Sequence, residues 1–271
     1  MFHYFRIIQY NNNNKLSHRE RLNCKFEDFD SRYTCVVSSL DNTHNNLTIY
    51  GNSGEHKANK NDADVKRIWI QNTDTKYIPT NLGSLFNLTA LRMWNTQLIE
   101  IKAKDFHGMQ DLQYLSLKNN KLKSVPLDAF ATLTKLRFIS LESNQIEELS
   151  NDIFSNNLVL ETIFLSDNNI KYLGTEIFNS LEKLDWVCLY GNICVNKNYR
   201  GKTEINQLKK DIKMKCKNPN EFPATTSTTE TPNAEGIEIN FWIIIIFSGF
   251  MIFTNIILFY LKKPIEDVSM M

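Results

Sequence analysis

The sequence lacks an excess of either charge: 31 Lys and Arg face 30 Asp and Glu, a net of +1 over 271 residues. Binding driven by phosphate neutralisation needs a clustered surplus of basic residues, so this balance argues against a nucleic-acid partner. Catalytic and metal-ligating signatures are missing as well. His3, His18, His44, His56 and His107 lie in unrelated segments, none at ligand spacing from another histidine or from a cysteine pair. There is no GxSxG elbow, Walker loop or kinase signature set, so neither an enzyme nor a cofactor is expected. Residues 1–23 do not read as a secretory signal. The apolar stretch Phe2 to Ile8 is short, is interrupted by His3 and Arg6, and is followed by Asn11 to Asn14.

Apolar residues are plentiful, at 42%, and unevenly placed. Phe241 to Leu261 contains no charge, and at about 1.5 Å per residue it is long enough for a helix to cross a bilayer. Trp242 and Tyr260 stand near its ends, where amphipathic rings favour the headgroup level. Lys262 and Lys263 follow the span, whereas Glu230, Glu235 and Glu238 precede it. The positive-inside rule therefore expects a cytoplasmic tail and an outer N-terminal part. The Ser/Thr/Pro run Ala224 to Pro232 reads as a stalk, and Asn46-Leu47-Thr48 and Asn87-Leu88-Thr89 are glycosylation acceptors.

A period of 24 residues organises the centre. Leu88, Leu112, Leu136, Leu160 and Leu184 mark it. Leu91, Leu115, Ile139, Ile163 and Val187 recur three places on, and Met93, Leu117, Leu141, Leu165 and Leu189 five places on. Thr96 is followed in register by Asn120, Asn144, Asn168 and Asn192, and further on come Phe106, Phe130, Phe154 and Phe178. Met109, Leu133 and Leu181 close the unit, with Leu158 one place late in the third copy. Alternation in LxL turns two side chains inward from a short strand, and the Asn can satisfy backbone groups that stacking would otherwise bury unpaired. Val65, Ile68, Ile70 and Thr73 form a degraded copy, and Leu47, Ile49 and Asn52 read as a still weaker one.

The pattern LxxLxLxxNxL resembles the leucine-rich repeat family, and the chain looks like its extracellular, single-pass members. The resemblance implies an α/β solenoid: a leucine-rich repeat horseshoe with a parallel concave sheet, disulfide-bearing caps and, here, one C-terminal transmembrane helix. It also implies the pairings Cys24 with Cys35 and Cys194 with Cys216, although spacing alone leaves connectivity open. A cap helix is expected around Glu204 to Met214. Cys188 is left over on a concave strand, either as a packed thiol or as the link in a disulfide-bonded homodimer.

The organisation expected is an unstructured N-terminus (1–23), an N-terminal cap with a first weak strand (24–64), repeats (65–193), a C-terminal cap (194–217), a stalk (218–240), a transmembrane helix (241–261) and a cytoplasmic tail (262–271). The concave columns nominate Arg67, Trp69, Arg92, Trp94, Tyr114, Lys118, Phe138, Glu142, Phe164, Trp186 and Tyr190 as partner-binding residues. The alternative for these aromatics is lateral packing on one another. Basic residues collect toward the N-terminal end of this face and acidic ones toward the C-terminal end. Seven strands give a face of only ~450 Å², against about 800 Å² per partner in a standard interface. The function expected is recognition of an extracellular protein ligand or co-receptor at the plasma membrane. A tail-anchored intracellular scaffold is the rival, and it would account for the missing signal sequence. A truncated or wrong start would also account for it, and the cysteines and flanking charge favour that explanation.

Overall fold

The computed structural model describes residues 7–10, 16–37, 40–42 and 47–217. They lie within one compact unit, Met1–Glu221; a second unit, Phe222–Met271, falls outside the described residues. The repeat appears as a main sheet of nine strands in which each lies beside its neighbour in sequence. They are β1 (Lys25–Phe29), β2 (Arg32–Val37), β3 (Arg67–Gln71), β4 (Ala90–Trp94) and β5 (Tyr114–Ser116). β6 (Phe138–Ser140), β7 (Thr162–Phe164), β8 (Trp186–Cys188) and β9 (Asn198–Arg200) complete it. From β2 to β8 all pairings are parallel, and Tyr114, Phe138, Thr162 and Trp186 stand side by side, one repeat apart. Alternation decides which way each residue points. Leu115, Leu117, Ile139, Leu141, Ile163 and Leu165 are all 0% exposed, so the inward residues of LxL form the continuous core.

The consensus asparagines bind adjacent repeats together. Asn144 Nδ2 donates to the carbonyls of Leu117 (3.0 Å) and Leu141 (2.9 Å), while its Oδ1 accepts from Leu122 N (3.0 Å). Asn168 repeats this with Leu141, Leu165 and Ile146 N, and Asn192 with Leu165, Leu189 and Ile170 N. Asn120 takes hydrogen bonds from Thr96 N, Thr96 Oγ1 and Leu98 N. Each side chain thus answers the turn's need for buried donors and acceptors, which water cannot reach. The residue before the asparagine is left-handed in successive units: Asn95, Asn119, Ser143 and Asp167 have φ between 53° and 56°. In the next unit Gly191 takes this place at φ 75°.

Phe106, Phe130, Phe154 and Phe178 are buried opposite the main sheet, with successive ring centroids 6.0, 6.0 and 6.4 Å apart. The third unit does not slip by one place as the sequence suggested. Asn157 occupies the register position at 0% exposure and donates to the carbonyls of Phe130 (3.0 Å) and Leu133 (2.9 Å), while Leu158 stands 53% exposed. Phase is held by the hydrogen bonds and packing of both neighbouring units, and these override one side chain's hydrophobicity.

Both ends close as the family resemblance implied. Cys24–Cys35 ties β1 to β2 and Cys194–Cys216 fastens the helix Gly201–Lys215 to the last repeat. At each end the parallel run finishes in an antiparallel strand, β1 against β2 and β9 against β8, which covers the outermost repeat's backbone edge. Ile205, Leu208 and Ile212 bury one helix face, and Tyr199 Oη donates to Asp211 Oδ2 at 2.6 Å. Gln207 Nε2 reaches the other Asp211 oxygen at 3.0 Å. Burial and the carboxylate raise the Tyr199 pKa, and the tyrosine hydrogen bond, only partly offset by burial, lowers that of Asp211.

Two N-terminal expectations change. The weak copy around Leu47 and Ile49 is not a concave strand: Thr48–Asn52 pairs with Leu16–Leu22 in a separate three-stranded sheet, and β2 takes the place beside β3. Parallel pairing of Thr34–Val37 with Arg67–Ile70 holds β2 there, the disulfide closes the β1–β2 hairpin, and Thr48 instead bridges Thr80. The stretch 1–23, expected to be unstructured, contributes the strands Ile7–Tyr10 and Leu16–Leu22. Backbone pairing with Thr48–Asn52 supplies the order that its composition did not suggest. Asn46, the stalk, the apolar run 241–261 and the tail lie outside the described residues. Among the described residues no helix is long and apolar enough to cross a membrane.

Candidate protein-binding face

The pleat sorts the outward residues into rows across the sheet. One row runs Arg67, Ala90, Tyr114, Phe138, Thr162, Trp186, Arg200; the next runs Trp69, Arg92, Ser116, Ser140, Phe164, Cys188. Trp94, Lys118, Glu142 and Tyr190 lie beyond them at the strand ends. All eleven nominated residues therefore share one side of the sheet.

They are not a set of separate anchors. Phe29 stacks on Trp69 at 4.4 Å, and the Arg92 guanidinium lies 4.6 Å from the Trp69 ring and 4.9 Å from Tyr114. Tyr114 stacks on Phe138 at 4.3 Å with nearly parallel planes. Phe138 meets Phe164 edge-on at 5.2 Å, Phe164 meets Trp186 at 4.9 Å, and Arg200 covers Trp186 at 4.8 Å. The result is a ladder from one cap to the other. Small residues alternate with it: Ser116 and Ser140 in the next row are 1% and 3% exposed, and Trp94 Nε1 donates to Ser116 Oγ at 2.5 Å. Lateral packing half-buries the nominated aromatics, with Tyr190, 61% exposed, the clear exception.

Charges pair across the same 24-residue step. Lys118 meets Glu142 at 2.9 Å, Arg137 meets Glu161, Lys135 meets Asp111 and Lys171 meets Glu147. Being exposed or half-exposed, such pairs contribute ~0–1 kcal/mol each and chiefly reinforce register. At the N-terminal end Arg67 donates to the Phe29 carbonyl and lies 3.7 Å from Asp30. Burial, then repulsion from Arg32, brings its pKa below the ordinary arginine value, against the pull of Asp30.

Cys188 is 8% exposed, and burial raises its thiol pKa. This is the packed thiol. A disulfide to a second chain would require the covering residues to move aside, so the Cys188-linked homodimer is withdrawn. Asn87 is exposed; its Nδ2 donates to the Ala63 carbonyl at 3.0 Å, a bond that needs only one of the two amide hydrogens. Two participants in the face were missed by the columns, Phe29 and Arg200, which end the ladder; away from the face, the buried Asn157 was missed as well. The ladder ends come from cap strands outside the repeat, so period alone could not find them; Asn157 was legible as a polar residue at the strict 24-residue phase. Among the described residues no group of three His, Cys, Asp or Glu could hold a metal ion.

The leucine rich repeat family model matches residues 86–146, and the same unit continues in the structure through β8. Residues 86–146 thus match a leucine-rich repeat, and the 24-residue unit to which they belong recurs along the main sheet. No curated protein matches it. Among solved structures, the LRIM1/APL1C complex gives a TM-score of 0.48 at 18% identity, covering 62% of this chain and 35% of that one. The TLR13–ssRNA13 complex gives 0.47 at 20% identity, covering 59% and 25%. The chain thus matches well under half the length of either.

Proposed function

We propose that the chain is a cell-surface recognition module that binds another extracellular protein, a ligand or a co-receptor, through its concave face. One observation carries this reading: a wall of half-exposed aromatics, built on a rigid parallel sheet and bordered by charge, runs between the two caps. Rings already held by their neighbours lose little rotamer freedom on binding, and aromatic and arginine side chains dominate binding energy where they are desolvated. Disulfides at both ends suit an oxidising, extracellular compartment. Asn46 and Asn87 would carry glycans, and residues 241–261 would anchor the module, with 262–271 in the cytoplasm. The nine strands span ~38 Å from first to last, so monovalent affinity should be modest and clustering on a membrane would raise it.

The test is made on intact cells. A tag placed before Cys24 should label without permeabilisation, and a photoreactive side chain at Tyr190 should capture a protein that one at Leu127, similarly exposed in the turn after the β5 unit, does not. A tag reached only after permeabilisation, or equal capture from both positions, overturns the reading.

A further inference from the structure

Two cations near the N-terminal end of the concave face have counter-charges: Arg67 beside Asp30 at 3.7 Å and Lys118 beside Glu142 at 2.9 Å. Arg92, between them, has neither a carboxylate nor a hydrogen-bond acceptor among the described residues. Its guanidinium is instead held by rings, 4.6 Å from Trp69, 4.9 Å from Trp94 and 4.9 Å from Tyr114. Arg92 Nε and Trp69 Nε1 are both buried without a hydrogen-bond partner. Leaving donors of this kind unmet is costly, and most folds avoid it. Both residues line a recess of about 360 Å³, bordered also by Lys25, Phe29, Gln71 and Trp94. The carboxylate at its border, Glu27, is already engaged by Lys25 at 2.6 Å. With Glu27 engaged by Lys25, the recess keeps the Arg92 charge uncompensated, is ringed by aromatics, and holds two donors, Arg92 Nε and Trp69 Nε1, that have no partner.

We infer that this recess seats a carboxylate, an Asp or Glu side chain of the extracellular protein that the concave face binds. The inference rests on that reading of the face and names the chemistry at one end of it. A planar guanidinium matches a carboxylate with two parallel hydrogen bonds, and a lysine could not do so from the same stacked position. Trp69, whose indole N–H has no partner, lines the same recess. The rings hold Arg92 laterally, so little of its freedom is lost when the acidic group arrives. A phosphodiester chain fits less well. Repeating phosphates need a run of free cations, and beyond Arg92 the neighbouring Lys118 and Arg137 are already paired with Glu142 and Glu161.

The experiment uses the full chain in detergent and a blocked hexaglutamate peptide, followed by the emission of Trp69 and Trp94, which flank the guanidinium. Saturable binding is expected, with hexaglutamine silent and oligouridylate of equal charge weaker. Arg92→Gln should weaken hexaglutamate binding by roughly tenfold or more, the scale of a lost charged hydrogen bond. Arg92→Lys should recover only part of it, and Lys135→Gln, which alters a cation paired with Asp111 elsewhere, should change nothing. If Arg92→Gln does not fold, Trp69→Phe serves in its place, since it keeps a ring against Arg92 and removes only the indole donor. Equal binding by wild type and Arg92→Gln, equal binding of hexaglutamine, or tighter binding of oligouridylate overturns the inference. A partner captured at Tyr190 and retained by Arg92→Gln, with hexaglutamate silent, would sink this inference and leave the general reading standing. Arg92-dependent hexaglutamate binding with no protein captured would do the reverse.

Discussion

Replacing Asn144 with alanine tests the physical basis of the stack. The side chain is 7% exposed and serves two repeats. Its donor bonds are partly redundant: the Leu117 carbonyl also receives Asn120 Nδ2 at 3.0 Å, and the Leu141 carbonyl also receives Asn168 Nδ2 at 3.0 Å. Its acceptor bond is not. Leu122 N has the Asn144 oxygen at 3.0 Å and would be left as a buried orphan, a cost of ~1–3 kcal/mol. The small cavity adds roughly 1 kcal/mol, so Asn144→Ala should destabilise by about 2–4 kcal/mol. Asn144→Asp is the sharper probe. It preserves shape and the acceptor for Leu122 N but sets a carboxylate oxygen against the carbonyls of Leu117 and Leu141. At neutral pH it should therefore cost more than alanine, and the deficit should shrink as pH falls through the raised folded pKa toward the unfolded value of about 4, where the carboxyl has become a donor. Urea unfolding followed by tryptophan emission measures both. A loss under about 1 kcal/mol for alanine, or an aspartate variant as stable as wild type at pH 7, would refute the argument that these asparagines are structurally required.

Two further outcomes follow from the packing. Phe154→Ala removes a ring at 0% exposure lying between Phe130 and Phe178, and should cost ~3–5 kcal/mol in the same assay; a neutral result would mean the phenylalanine column is not cohesive. The Tyr199–Asp211 pair makes the C-terminal cap pH-sensitive in both directions. The lowered Asp211 pKa contributes stability above the unfolded carboxylate value of about 4, which is lost as pH falls through the folded pKa. The raised Tyr199 pKa contributes stability that is complete below the unfolded value of about 10 and is lost as pH rises through the folded pKa. Tyr199→Phe should lower the melting temperature near neutrality and flatten both limbs of its pH profile; a parallel downward shift would count against the linkage.

The sequence by itself determined the stack, because a side-chain period of 24 residues has one economical geometric solution. Inward and outward residues followed from strand alternation, and both disulfide pairings from the resemblance that the repeat established. It could not decide which element lies beside Arg67–Gln71: Thr48–Asn52 and Arg32–Val37 are both short β-prone segments, and in the fold the latter pairs there while the former pairs with Leu16–Leu22. Nor could it decide whether the aromatic columns stand apart or lean together. That depended on small buried residues, Ser116 and Ser140, in the neighbouring row, on cap residues Phe29 and Arg200 reaching the ladder's ends, and on Arg92 lying among rings with no acid beside it. The physical reason is the range of the interactions. Period and alternation are local and can be read along the chain, whereas contacts between residues one repeat or more apart exist only once the turns have brought the strands to ~4.8 Å spacing.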